Sequence, residues 1–157
     1  MQNGIPFSIL VVDDDADDRL FIDEAFMEIG YAAEVKKFID GKGLLRYLEQ
    51  IEPALYPSLI VLDNTLPGLE AGDLLVILKA HPCCRSIPVV VYTSSVTAFM
   101  NEQLLSQGAY TVMEKASSTQ EIVQVALKLK SLAERQRNVD DGPGGDLPLE
   151  AAPIGKK

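Results

Sequence analysis

Short stretches of consecutive apolar residues alternate along this chain with longer stretches whose apolar positions recur every three or four residues. Ile9-Leu10-Val11-Val12, Leu59-Ile60-Val61-Leu62 and Val89-Val90-Val91 contain no polar position, the pattern of strands covered on both faces. With two further β-branched stretches they predict strands at 8–12, 33–38, 59–62, 88–92 and 110–113. Helical spacing predicts helices at 17–29, 43–50, 71–79, 98–107 and 119–134. This alternation makes βαβ units, hence an α/β fold with a doubly wound parallel sheet.

The helix ends carry their own signals. Ser118 and Glu121 have capping-box spacing ahead of an apolar face formed by Ile122, Val125, Ala126, Leu129 and Leu132. Gly30 and Gly108 follow helical patterns where a left-handed C-terminal cap fits. From Gln136 onward periodicity is lost and Gly and Pro accumulate. The expected organisation is one domain over 1–135 and a flexible Gly/Pro-rich tail over 136–157.

Composition narrows the class. The chain has 157 residues, 47% hydrophobic and 24% charged, enough for one real core. No apolar run is long enough to cross a bilayer, and the opening residues lack the basic-then-apolar order of a secretory leader. Cys83 and Cys84 are adjacent, so no bridge between them closes a long loop, which fits a reducing, cytoplasmic setting. A net charge of −9 and a pI near 4.5 argue against direct nucleic-acid binding.

In an open parallel sheet, ligands bind beyond the carboxyl ends of the strands. Asp13, Asp14 and Asp15 follow the first apolar run, Asp63 the third, Thr93 the fourth and Lys115 the fifth. Clustered carboxylates raise one another's pKa, and a divalent cation resolves that conflict. Mg²⁺ suits an oxygen-only set shared with a phosphate, whereas Zn²⁺ is disfavoured because the single histidine, His81, lies away from the strand ends. A carboxylate can attack phosphorus once the transferring charge is neutralised. On that logic Asp63 becomes an acyl phosphate, Lys115 supplies positive charge and Thr93 donates a hydrogen bond to a phosphoryl oxygen.

At these residues the chain resembles the response regulator receiver domains of two-component signalling. The resemblance rests on Ile9-Leu10-Val11-Val12-Asp13-Asp14, Leu62-Asp63-Asn64-Thr65-Leu66-Pro67-Gly68, Val91-Tyr92-Thr93-Ser94 and Glu114-Lys115, and spans roughly residues 7–134. It implies a flavodoxin-like (βα)5 sheet in strand order 2-1-3-4-5. It implies Asp63 as phosphoacceptor, Mg²⁺ held by Asp14, Asp63 and the Thr65 backbone carbonyl, and Asp13 acting largely through water. A sensor histidine kinase or phosphotransfer protein is the implied partner, and a homodimer stays open. The acidic start of the first helix, Asp15-Ala16-Asp17-Asp18-Arg19-Leu20-Phe21, looks like small single-domain regulators, some of which serve phytochrome-type kinases.

Three positions depart from the family. Ala116 follows the lysine where proline, often cis, is usual, and a non-proline cis bond costs roughly 3 kcal/mol. Val112 stands where an aromatic often changes rotamer; Tyr110, two residues earlier on the same strand face, could report instead, and its orientation neither supports nor excludes that. Glu70-Ala71-Gly72 replaces the usual acid-glycine step. Plainer readings stand beside the sharp one: an acidic first helical turn for Asp13–Asp18, or a calcium loop, against which Asp18 occupies the glycine position. Asp13, Asp15, Thr93 and Lys115 also imitate the haloacid dehalogenase phosphohydrolases, although no strand follows Lys115 to present their last acidic motif. A third alternative is an interaction module with this fold that is never phosphorylated.

Overall fold

The computed structural model describes residues 7–141. Five strands, β1 (Ile9–Val12), β2 (Val35–Phe38), β3 (Leu59–Leu62), β4 (Val89–Thr93) and β5 (Thr111–Glu114), form one sheet in the order β2-β1-β3-β4-β5. All four pairings are parallel. The flavodoxin-like order expected from the resemblance is the order observed.

Four helices connect the strands, α1 (Ala16–Glu28), α2 (Gly41–Gln50), α3 (Ala71–Ala80) and α4 (Ala98–Ser106), and α5 (Thr119–Asp141) follows the last of them. Because successive strand residues point to opposite faces, each central strand feeds two cores. Leu10, Val12, Ile60, Leu62, Val89 and Val91 pack under α2, α3 and α4. Ile9, Val11, Leu59, Val61, Val90 and Tyr92 pack under α1 and α5. Two-sided burial is the physical reason that no polar residue interrupts these runs.

Local signals hold in detail. Gly30 and Gly108 take positive φ, at 75° and 117°, in the conformation that a Cβ penalises. The Ser118 hydroxyl accepts the Glu121 N–H at 3.2 Å. The reciprocal half of the capping box is displaced by one residue, since the Glu121 carboxylate takes the Ser117 N–H at 3.2 Å. Ser118→Ala is expected to cost about 1 kcal/mol of stability, readable as a lower urea midpoint with unchanged slope.

Most boundaries move by one or two residues from expectation, and three of the differences are informative. Ala33 and Glu34, expected to start the second strand, belong instead to a 3-10 turn over 32–34: the Glu34 N–H donates to Tyr31 O, and the ladder begins at Val35. Thr93 is the last residue of β4, not the first beyond it. The fifth helix continues to Asp141, so residues 136–141 extend the helix where a tail was expected. The rest of the expected tail, 142–157, and the opening residues 1–6 lie outside the described residues.

Candidate functional site

The backbone ladder sets the height of the acids before their side chains matter. Val12 is in register with both Phe38 and Leu62, and the next residues extend the pairing: Asp13 N–H donates to Phe38 O and Asp63 N–H to Val12 O, each at 3.0 Å. Asp13 and Asp63 therefore emerge side by side at the carboxyl edge of β1 and β3. One oxygen from each of Asp13, Asp14 and Asp63 lies within 4.8 Å of the others. Asp13 and Asp63 are only 5% and 9% exposed, while Asp14 is exposed.

Lys115 faces this group. Its N–H continues the β4–β5 ladder by donating to Thr93 O at 2.7 Å. Its ammonium donates to Asp13 Oδ2 at 2.8 Å and Asp18 Oδ2 at 2.6 Å, and stands 3.4 Å from Asp63 Oδ1. Burial alone would lower the Lys115 pKa, but hydrogen bonds to Asp13 and Asp18 and the fields of Asp13 and Asp63 overcome it, so the ammonium is held charged. Asp63 moves the other way. Desolvation pushes its pKa above the ordinary carboxylate value, against the pull of Lys115 and with a further push from Asp13.

Asp13 is fixed from three directions. Its carboxylate accepts the Asp15 N–H at 3.0 Å as well as the lysine, and its carbonyl accepts from Arg19 Nη1 at 2.8 Å. Asp15 caps α1 by accepting the Asp18 N–H at 3.0 Å, and that cap turns Asp18 toward the rim. The ion pair of Asp18 with Lys115 was not anticipated from sequence, where Asp18 belonged to a run of helix-starting acids.

The other anticipated residues divide. Thr93 is buried at the end of β4, and Thr65 is exposed in the loop after β3. The Lys115–Ala116 bond is trans, as is every peptide bond among the described residues. Tyr110 does not substitute for an aromatic at position 112. It precedes β5 at the far end from Lys115, is 56% exposed, and lines a hollow with Lys79 and Arg135. Val112 packs against the core under α2, α3 and α4. His81 accepts the Cys83 N–H in the loop leading toward β4, at the opposite edge of the sheet. Sequence reasoning also missed Tyr92, a buried residue whose hydroxyl accepts the Ala116 N–H at 3.2 Å. Its only signal was its place next to Thr93.

The sequence matches the response regulator receiver domain over residues 9–127. The chain belongs to the response regulator receiver family. Receivers are signalling phosphoacceptors rather than turnover enzymes, and they interact with histidine kinases or phosphotransfer proteins. The probable methanogenesis regulatory protein FilR2 of Methanothrix harundinacea is 35% identical over 92 residues, covering 57% of this receiver chain and 59% of FilR2. Response regulator Rcp1 of Synechocystis is 32% identical over 97 residues, covering 60% of this chain and 66% of Rcp1. The chain thus spans less than two thirds of either relative. The Mn²⁺-bound form of Rcp1 shares the fold with a TM-score of 0.67 at 23% identity, covering 80% of this chain and 93% of that one. The phosphorylated cyanobacterial phytochrome response regulator RcpA matches with a TM-score of 0.71 at 25% identity, over 81% of this chain and 93% of its own.

The acidic group is suited to a hard divalent ion. Its donors are carboxylate oxygens, two of the three acids are nearly buried, and oxygen-only sets of this kind favour Mg²⁺ or its relatives over Zn²⁺. Among the described residues no helix is long and apolar enough to cross a membrane.

Proposed function

We propose that Asp63 accepts a phosphoryl group from a histidine kinase or phosphotransfer protein, and that Asp13, Asp14, Asp63 and the Thr65 carbonyl hold the Mg²⁺ this reaction needs. The observation that carries the reading is the meeting of Asp13, Asp14 and Asp63 within 4.8 Å under one ammonium, Lys115. The Mn²⁺ in Rcp1 and the phosphorylation of RcpA are properties of those relatives and support the same roles for the matching residues here. A kinase-facing receiver of this kind works in the cytoplasm.

In the transfer, an Asp63 carboxylate oxygen forms a bond to phosphorus as the donor's phosphorus–nitrogen bond breaks. The electron pair stays on the donor imidazole, which takes up a proton from water. Bound Mg²⁺ supplies charge neutralisation for the transferring oxygens. Lys115 adds a fixed positive charge, and the Thr93 hydroxyl donates to a phosphoryl oxygen. These new contacts draw on the ends of β4 and β5, biasing the conformation of the segments beyond them and so of the surface a partner reads. Leu20 and Phe21, about half exposed on α1, offer apolar contact close to the acidic rim.

Incubation with acetyl phosphate and Mg²⁺ is expected to add the mass of one phosphoryl group. An unchanged mass favours the alternative of an interaction module that is never phosphorylated. The phosphohydrolase alternative makes a different prediction, turnover of a phosphate monoester that depends on Asp13 and not on Asp63. It has little support, because among the described residues only α5 follows Lys115, with no strand to present its last acidic motif.

The metal assignment has its own test. A ligand that binds only the folded state stabilises it by about 2.7 kcal/mol at one hundred times its Kd. The thermal midpoint is expected to rise with Mg²⁺ relative to EDTA, and Asp14→Asn to remove most of that rise. An equal rise in both proteins assigns the effect to ions elsewhere.

A further inference from the structure

Tyr92 lies directly before Thr93, and its side chain points to the opposite face of β4, into the core under α1 and α5. The residue is 9% exposed. Its hydroxyl accepts the Ala116 N–H at 3.2 Å, one peptide beyond the point where Lys115 N–H meets Thr93 O at 2.7 Å. The peptides on both sides of the Lys115 α-carbon are thus tied to successive residues of β4, the first to a carbonyl and the second to a phenol. Residue 116 has an N–H to give because it is alanine; a proline there would have none.

We propose that Tyr92 is a positioning residue for Lys115, fixing through the Ala116 peptide the place from which the ammonium reaches Asp13, Asp18 and Asp63. The inference rests on the reading of Lys115 as the cation that faces the transferring phosphoryl group. Buried strand β4 provides the rigid floor, and the tyrosine ring carries its position across to the backbone of the loop. Without the hydroxyl, the Ala116 N–H has to find water or leave its place, and the lysine loses one of its two backbone anchors.

Tyr92→Phe removes the hydroxyl and keeps the ring. At saturating acetyl phosphate and Mg²⁺, the first-order rate of Asp63 phosphorylation is expected to fall roughly two- to tenfold, the range for one net hydrogen bond. Amide hydrogen exchange at Ala116 is expected to quicken. In Ala116→Pro, which has no N–H at that position, adding Tyr92→Phe is expected to change the rate little; in Ala116→Gly, which keeps the donor, the full loss is expected to return. A merely structural tyrosine lowers the rate alike in all three backgrounds, and that result overturns the proposal, as does an unchanged rate and exchange in Tyr92→Phe alone. A wild type that takes up no phosphoryl group removes the functional reading itself and the inference with it, whereas phosphorylation of the wild type and Tyr92→Phe at the same rate removes only the inference.

Discussion

Asp63→Asn is expected to abolish the phosphoryl adduct and, without metal, to make the fold more stable. The first effect follows from the nucleophile: an amide has no carboxylate oxygen to bond phosphorus, and neither Asp13 nor Asp14 occupies the end of β3. The second follows from the raised pKa of Asp63. A carboxyl that holds its proton more tightly when folded than when unfolded favours folding below its ordinary value of 3.8. That advantage is lost as the pH rises through the folded value, so at neutral pH the ionised group costs stability. Asparagine is neutral throughout, and Lys115 keeps its closer partners Asp13 and Asp18. The measurement is a pair of denaturation curves in EDTA at several pH values. The variant's advantage should be largest near neutrality and shrink toward pH 4. A variant less stable than wild type at pH 7 means that attraction to Lys115 outweighs desolvation at Asp63 and overturns this prediction. In Mg²⁺ the order should narrow or reverse, because the wild type gains a carboxylate ligand that the variant lacks.

That a residue destabilises the fold it serves is the usual mark of a site whose chemistry sets its composition. It also explains which parts of this protein can be read from sequence. The central strands were legible because burial on both faces leaves no room for a polar residue, and Asp13 and Asp63 stood out as the first violations of that rule. Lys115 was legible only by register with the others. Asp18 was not legible, because the same acid satisfies helix-start preferences, and its turn toward Lys115 depends on the Asp15 cap. Tyr92 was hidden for a related reason: at the end of an apolar run it reads as core, which its ring is, and nothing in the order of residues shows where its hydroxyl reaches. The boundary at Val35 was missed because Ala33 and Glu34 adjoin the strand with no Gly or Pro to mark a break, while the hydrogen bonds of residues 32–34 close a turn. Register and apolar burial are visible along one dimension; side chains that reach across elements are not.

Lys115→Met tests the other half of the arrangement, since methionine approximates the length of the stem and removes the charge. Lys115 is 12% exposed at its side chain, against 7% for Asp13 and 11% for Asp63, so the variant leaves two nearly buried carboxylates facing each other without a cation. Removing one partner from a buried ion pair costs about 3 kcal/mol or more, and that loss is expected in EDTA at pH 7. It should diminish toward low pH. With the ammonium gone the folded Asp63 holds its proton more tightly still, so the variant's penalty is absent below the ordinary carboxylate value and grows as the pH rises. Mg²⁺ should recover part of the loss and bind more tightly than to wild type, because the acids no longer have an internal cation to give up. Phosphorylation tells a different story from stability. The metal can replace the lysine's charge in the resting acids, but it cannot replace a donor aimed at the transferring oxygens, so at saturating Mg²⁺ the phosphorylation rate is expected to stay about 10²- to 10³-fold below wild type. A variant that regains both stability and rate in Mg²⁺ would show that Lys115 serves only as a stand-in cation. Stability regained with the rate still lost would separate the lysine's resting role, holding the acids together, from its role in the transfer.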